Sequence, residues 1–279
     1  MINEASIRLT AFIGIFVAIA IWEFATPCRP LTTSKSVRWL SNISITLLGT
    51  AIVRGIFPVL AVNFAVNETT LGILNQTSLP YVLKVVVGVL AFDLIIYFQH
   101  VMFHSVPIFW RLHMMHHTDL DVDVTTGLRF HPFEVILSMG IKIAAVVIIG
   151  PPVLAVILFE VLLNGTSMFN HGNIRMHPGF DKLLRLIVVT PDMHRVHHSV
   201  IIRETNSNFG FNFPWWDRLF GTYRPQPAAG HKDMTIGLSQ FRDPKRLTLH
   251  WLLALPFIGK IGEYSINRSG RGPVARNKH

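Results

Sequence analysis

The sequence predicts an all-α integral membrane protein, a bundle of four or five transmembrane helices with a histidine-rich helical cap on the cytoplasmic side. Three observations predict this class. Half of the 279 residues are hydrophobic and only 15% are charged, whereas a soluble domain of this length carries about a quarter charged residues. Long apolar stretches alternate with polar ones. Eleven of the fourteen histidines lie between His100 and His198.

The apolar stretches set the number of spans, because about 20 helical residues cross a bilayer. The first, residues 9–25, contains Glu23 and is the one that could instead lie on the membrane surface. The second runs from residue 39 to about 66 and is interrupted by Arg54. A charge at that depth needs a protein partner, for which Glu160 is a candidate, or it snorkels to the interface. The remaining spans are residues 82–98 and a stretch, 133–169, that breaks into two short helices at Gly150-Pro151-Pro152.

Charge placement predicts the orientation. Sixteen of the twenty-five Lys and Arg residues follow residue 171, and residues 67–80 have none. Since cytoplasmic loops are enriched in Lys and Arg, residues 28–38, 105–132 and everything after 170 are expected on the cytoplasmic side. The net charge of +9 is therefore read as membrane sidedness and not as nucleic-acid binding. Residues 250–261 are apolar but too short to span, so they are either an interfacial helix or part of the core.

The histidines repeat one spacing. His100 and His104 form an HxxxH pair, and residues 113–117 and 194–198 each form an HxxHH motif. Positions i, i+3 and i+4 share one face of a helix, so each motif presents its imidazoles together. Single histidines occur between the clusters at His131, His171 and His177.

Eight or nine clustered imidazoles exceed what one ion binds, which predicts two metal ions. Imidazole suits iron, zinc or copper, and the spacing does not choose among them. The single cysteine, Cys28, excludes thiolate sites, and the absence of a Glu inside either HxxHH disfavours a zinc peptidase. A metal-binding or transport membrane protein without redox chemistry remains the alternative.

Further motifs accompany the clusters: Arg129-Phe130-His131-Pro132-Phe133-Glu134, Asn170-His171-Gly172-Asn173-Ile174, Thr190-Pro191-Asp192-Met193-His194, and a run from Phe213 to Tyr223 that reads FPWWDRLFGTY. Together with the histidine order, they resemble the fatty acid hydroxylase / sterol desaturase superfamily of integral membrane di-metal oxygenases, and its bacterial members in particular. The resemblance covers roughly residues 80–225. It divides the chain into N-terminal transmembrane helices (1–80), a catalytic domain (81–225) and a C-terminal cap segment with a basic tail (226–279).

The resemblance implies two iron ions, with zinc still open, that activate O₂ to hydroxylate or desaturate an unactivated C–H of a membrane lipid. It implies a separate electron donor, either a ferredoxin or a cytochrome b5-like protein with its reductase, and a bacterial inner-membrane location. Carried over position by position, the metal ligands would be His100, His104, His113, His116, His117, His171, His194, His197 and His198.

Several other positions carry open alternatives. Ser167 stands where the fatty acid 2-hydroxylase branch has another histidine, so one ligand is missing or replaced. Asp93 and Asp192 could each orient a ligand imidazole, although Asp93 could equally pair with Lys84 or water and Asp192 could cap its helix. His131 is favoured for a supporting role beside the ligands.

The remaining polar and aromatic positions receive simpler interpretations. His177 is expected at the surface. Asn206 and Asn208 are expected in a polar loop, with hydrogen bonds to ligand imidazoles as the alternative. Trp215 and Trp216 are expected to anchor the protein at the interface or to fill space.

Overall fold

The computed structural model describes residues 4–57, 62, 65, 72–258 and 261–268, and these residues form helices and turns but no β-strand. Two isolated bridges join Pro27 to Ile174 and Ser199 to Ile236. The α-helices are α1 (Glu4–Ala25), α2 (Lys35–Ile56), α3 (Tyr81–Ser105), α4 (Pro107–His117), α5 (Pro132–Ile149), α6 (Val153–Asn170), α7 (Pro178–Leu184), α8 (Pro191–His197), α9 (Ile202–Thr205), α10 (Trp215–Leu219), α11 (Gly230–Asp233) and α12 (Leu249–Ala254). Short 3₁₀ helices are Ile73–Gln76, Thr126–Leu128, Pro244–Leu247, Leu255–Phe257 and Ile266–Arg268.

Five helices, α1, α2, α3, α5 and α6, are long and apolar enough to cross a membrane. The predicted all-α membrane bundle is therefore confirmed in its class, with the first apolar stretch counted as a fifth candidate span. Gly150 follows α5 in a left-handed conformation (φ 62°) and closes the turn to α6, as the Gly-Pro-Pro break predicts.

The spans pack in pairs. Helix α1 lies on α6, α2 on α5, and α3 on both α4 and α6. Inside the bundle, Phe92 of α3 stacks on Phe159 of α6 with ring centroids 5.0 Å apart. Both side chains are buried in an apolar cluster that joins α3, α5 and α6. This cluster fixes the ends of α3 and α6, which carry histidines on the cap side.

The predicted boundaries change at two helices. Helix α2 begins at Lys35 and ends at Ile56. The rest of the second predicted stretch falls largely outside the described residues. Residues 67–71 of the following loop and the end of the basic tail also lie outside them. Helix α3 continues past residue 98 to Ser105, because no helix-breaking residue occurs before Pro107. His100 and His104 therefore lie on one continuous membrane helix.

The suggested pairing of Arg54 with Glu160 is wrong. Glu160 binds Arg8 of α1 at 2.5 Å and Lys142 of α5 at 2.9 Å. Arg54 is exposed, which agrees with the snorkelling alternative.

The apolar segment near the C-terminus belongs to the core. Leu252 and Leu255 are buried with Ile45 of α2 and with Trp110 of α4. This packing closes the side of the cap that faces α2 and α4.

Candidate metal centre

The nine clustered histidines come from four helix ends that meet on the cap side of the bundle. His100 and His104 end α3, the HxxHH motif of residues 113–117 ends α4, His171 follows α6, and the motif of residues 194–198 occupies α8 and its C-terminus. Every one of these side chains is buried. Their ring nitrogens form two groups, each with its candidate ligand atoms within 4.8 Å of one another. The five-histidine group is His100, His104, His113, His117 and His197, and the four-histidine group is His116, His171, His194 and His198.

The ring nitrogens approach one another at the distances that ligands of one ion adopt. In the four-histidine group, the Nε2 atom of His171 lies 3.1 Å from those of His116 and His198 and 3.2 Å from that of His194. In the other group, Nε2 of His113 lies 3.1 Å from that of His100 and 3.3 Å from that of His117. Imidazole nitrogens bound about 2.1 Å from one ion are roughly 3.0–3.4 Å apart.

In six of the nine histidines, the opposite ring nitrogen is held by a hydrogen bond. Nδ1 of six histidines faces an oxygen at 2.7–3.1 Å: Phe209 O for His100, Asn206 Oδ1 for His104, Glu134 Oε1 for His113, Arg129 O for His116, Ser167 O for His171 and Ser207 O for His197. An imidazole that donates its Nδ1 proton to an oxygen presents an unprotonated Nε2 to the site. The arrangement therefore fixes both the ring orientation and the tautomer.

Burial keeps the imidazoles neutral. Burial lowers the pKa of His171 to about 4. Burial, with the neighbouring histidines adding to it, also places the pKa values of His116, His117 and His194 well below the usual range. The neutral form is the one that binds metal.

Some buried nitrogens have no partner within the described residues. Nε2 of His104 and Nε2 of His197 belong to the five-histidine group and make no hydrogen bond. A buried nitrogen without a partner costs free energy of folding. A metal ion in this group would satisfy both atoms, so the donor set fits the metal that the clusters predict.

An ion network supports the loop between α4 and α5. Arg38 of α2 binds Asp119 at 2.7 Å and Asp123 at 2.6 Å, and all three side chains are buried. Burial alone would raise the pKa of the Asp119 carboxyl, but the charges of Arg38 and Arg129 lower this pKa to about 2. Arg129 in turn donates to Met115 O at 3.1 Å. Because the carbonyl of Arg129 receives the Nδ1 proton of His116, this network also fixes the imidazole of His116.

Three residues expected beside the ligands have other roles. The carboxylate of Asp93 accepts from Trp216 Nε1 at 2.7 Å and from the backbone of residues 212 and 213, so it does not orient an imidazole. Asp192 binds Arg195 at 2.5 Å, while Thr190 caps α8. His131 caps α5 and approaches Leu253 O at 3.3 Å, outside both histidine groups.

The expectations for the remaining polar residues have mixed outcomes. Asn206 contacts His104, so the hydrogen-bond alternative describes it, whereas Asn208 donates to two backbone carbonyls and shapes the loop. The hydroxyl of Ser167 donates to Gly127 O at 2.8 Å, and the histidine group beside it holds four imidazoles. His177 is exposed, as predicted. The sequence interpretation missed Glu134, although it stands in the quoted Arg129–Glu134 motif.

Comparisons with known proteins bear on this arrangement. The family described as "Fatty acid hydroxylase" matches residues 85–222. An ornithine lipid hydroxylase from Rhizobium tropici is 29% identical over 157 residues, which cover 56% of this chain and 46% of that protein. The human alkylglycerol monooxygenase is 27% identical over 57% of this chain and 34% of its own length. Methylsterol monooxygenase 1 of Gallus gallus is 30% identical over 45% of this chain and 41% of its own length.

The chain thus spans less than half the length of these relatives. No solved structure matches. The family match begins in α3, ends beyond α10 and includes all nine clustered histidines. Residues 85–222 of this chain form a fatty acid hydroxylase domain.

Proposed function

We propose that the two histidine groups hold two iron ions and that the protein is an O₂-dependent hydroxylase of a membrane lipid. The observation that carries the proposal is the convergence of nine buried imidazoles into two adjacent groups with nitrogens 3.1–3.3 Å apart. Zinc would fit the same nitrogens, but zinc has no redox chemistry. The relatives are hydroxylases and monooxygenases by name, which favours iron and favours hydroxylation over desaturation.

All nine clustered histidines are the proposed ligands, five for one ion and four for the other. The four-histidine group contains His171. Four residues before it, Ser167 stands where the fatty acid 2-hydroxylase branch has another histidine. Fewer ligands leave more of the coordination sphere open, which a catalytic metal site requires. We therefore assign O₂ access to the ion held by His116, His171, His194 and His198.

Iron bound by these histidines would supply the chemistry for reducing O₂ and attacking an unactivated C–H bond. The protein holds the imidazoles neutral, and the Nδ1 hydrogen bonds fix the Nε2 atoms of six of them toward the site. Its buried surroundings exclude water, which prevents side reactions at the metal pair.

Phenylalanine rings form the apolar wall of the site. Phe130 stacks on His116 with centroids 4.7 Å apart and an interplanar angle of 11°. Phe211 lies 5.1 Å from His100 and 6.1 Å from His194. Phe211 belongs to the apolar cluster inside the membrane bundle, and Phe130 packs against that cluster. We infer that the alkyl part of a membrane lipid reaches the histidines along this side.

Electrons are proposed to come from a separate ferredoxin or cytochrome b5-like protein with its reductase. The sequence has one cysteine, and an iron–sulfur cluster needs several. The excess of Lys and Arg around the cap supports a cytoplasmic orientation in a bacterial inner membrane. A cytoplasmic cap would bring the histidines within reach of a soluble donor.

The proposal is tested with protein purified anaerobically in detergent and analysed for metals. We expect about two iron ions per chain and, with ¹⁸O₂, a reductant system and a lipid extract, an ¹⁸O-labelled hydroxylated lipid. His116→Ala is expected to remove metal while the protein still inserts in the membrane. His250→Ala, at an exposed histidine of α12, is the matched control and is expected to keep its metal.

Two results would overturn this function. Full activity in metal-free protein would rule out a metal-dependent oxygenase. Stoichiometric binding of a metal with no O₂-dependent product, whatever lipid and donor are supplied, would leave the non-redox metal-binding or transport alternative.

A further inference from the structure

Two segments that flank α8 carry apolar side chains on their outer surface. The first segment, residues 178–187, includes α7, and the second, residues 209–220, includes α10. These two segments together are called the wedge. Large apolar side chains in the wedge are 40–69% exposed: Phe180, Leu183, Leu186, Ile187, Trp215, Leu219 and Phe220. A water-facing surface rarely collects so many large apolar side chains in one place.

The two segments of the wedge form one surface. The indole nitrogen of Trp215 donates to Leu186 O at 2.7 Å. The guanidinium of Arg218 donates to Arg185 O at 3.1 Å. These bonds place the exposed side chains of α7 and α10 next to each other.

The wedge reaches the middle of a membrane helix. Asp93 lies twelve residues from each end of α3, Tyr81–Ser105, which is about 18 Å at 1.5 Å per residue. Its carboxylate receives Trp216 Nε1 at 2.7 Å and the backbone N–H groups of Asn212 and Phe213 at 3.3 and 3.4 Å. Since α3 is long and apolar enough to span a bilayer, residues 212–216 lie within its thickness.

Irregular backbone at that depth requires internal partners, because hydrocarbon offers no hydrogen bonds. The wedge has them. Besides the bonds to Asp93, the carboxylate of Asp217 accepts the N–H groups of Phe209 and Gly210, both at 2.8 Å. The two buried carboxylates thus satisfy donors that would otherwise face lipid.

The wedge is also continuous with the lipid-facing side of α3. Phe98 of that helix is 48% exposed, and its ring centroid lies 5.1 Å from that of Phe220. Tyr97 stacks on the same Phe220 ring at 5.4 Å. One apolar surface therefore runs from a spanning helix onto the wedge.

We propose that the wedge inserts into the acyl chains of the leaflet on the histidine side of the membrane. Exposed Lys182 can extend from it to the head groups. The inner end of the same segment carries Phe211, which contacts His100 and His194. The wedge therefore sets the depth of the histidine site in the leaflet and does not depend on the reaction performed there.

The test uses single-cysteine variants in a Cys28→Ser background, because Cys28 is the only native cysteine. Leu183→Cys and Leu219→Cys carry a nitroxide label in the full-length protein, reconstituted in nanodiscs of phosphatidylcholine and phosphatidylglycerol. Collision rates with O₂, which partitions into lipid, and with a water-soluble nickel chelate report the surroundings of each label. Leu47→Cys on α2 is the lipid-facing reference and Lys232→Cys on the cap is the aqueous one, and both native side chains are exposed.

We expect the ratio of O₂ to nickel collisions at both wedge positions to match that at Leu47 and to exceed that at Lys232. A ratio like that at Lys232 would place the wedge in water and overturn the proposal. Labels protected from both reagents would show that a second copy or another protein covers the surface, which also overturns it. Ile187→Cys, at a third exposed position, replaces either variant if one is not recovered as folded protein.

Discussion

Nδ1 of His113 lies 2.7 Å from Oε1 of Glu134, and both side chains are buried. Glu134 stands in the first turn of α5 and His113 in α4, so the contact ties a membrane helix to the five-histidine group. A carboxylate behind a ligand imidazole fixes the ring and increases its basicity. The pair connects the membrane bundle directly to the proposed metal centre.

Removing this carboxylate is expected to weaken metal binding. Glu134→Ala takes away the acceptor for His113, and loss of such a partner typically costs roughly 10–100-fold in metal affinity. Glu134→Gln keeps an oxygen acceptor without the charge and is expected to lose less. Affinity is measured by competition with a chelator, with Glu263→Ala at an exposed site as control. Equal affinity in all variants would show that the contact has no role in metal binding.

The apolar wall is expected to position the alkyl chain of the lipid. Phe211 contacts His100 and His194 and belongs to the apolar cluster inside the bundle. Phe211→Ala is expected to keep its metal but to lower kcat/KM for the lipid about tenfold and to spread the position of hydroxylation, because the alkyl chain loses one contact surface. Product analysis by mass spectrometry measures the positions. Phe257→Ala, at an exposed ring, is expected to behave like the parent, and an unchanged product pattern in Phe211→Ala would place the chain elsewhere.

Apolar runs and breaker residues predict the spanning helices because a bilayer imposes length and hydrophobicity. The apolar run of the third span ends at residue 98 because histidines are polar, but the helix was expected to continue into His100 and His104, and it does. The HxxxH and HxxHH spacings predict shared faces, and the nine histidines do meet. Their division into groups of five and four depends on how helix ends pack, which spacing within one helix does not encode.

Hydrogen-bond partners of the histidines are harder to predict. Asp93 and His100 are seven residues apart and do share a face of α3, as their spacing indicates. The two side chains do not bind each other, because each binds the backbone of the segment 209–217. Asp93 binds Asn212 N, and His100 binds Phe209 O. A backbone carbonyl acts through its position and not through its residue type, so the sequence offers no signal for it.

The buried ion network gives a prediction for stability. Arg38→Met would leave Asp119 and Asp123 without their shared cation, and breaking a buried pair by removing one partner costs about 3–5 kcal/mol. We expect a loss of this size in the free energy of unfolding, measured by denaturant titration in mixed micelles. Arg54→Met on the same helix removes an exposed arginine and is expected to change the free energy little. Similar values for the two variants would contradict a structural role for the network.

The 3₁₀ helix Thr126–Leu128 packs against α6. A Cβ added at Gly127 would overlap Ser167 O, the same oxygen that accepts the Nδ1 proton of His171. Because backbone atoms cannot yield as a flexible side chain does, Gly127→Ala must push the loop from α6 and is expected to destabilise the protein by about 1–3 kcal/mol. It is also expected to lower metal retention, since the loop carries Arg129 and the helix end carries His171.

Gly140→Ala is the control: nothing lies within 4 Å of its added Cβ, and it is expected to stabilise α5 by about 0.5–1 kcal/mol. Thermal unfolding and metal content are measured on both variants, and normal metal retention in Gly127→Ala would show that this contact does not position His171.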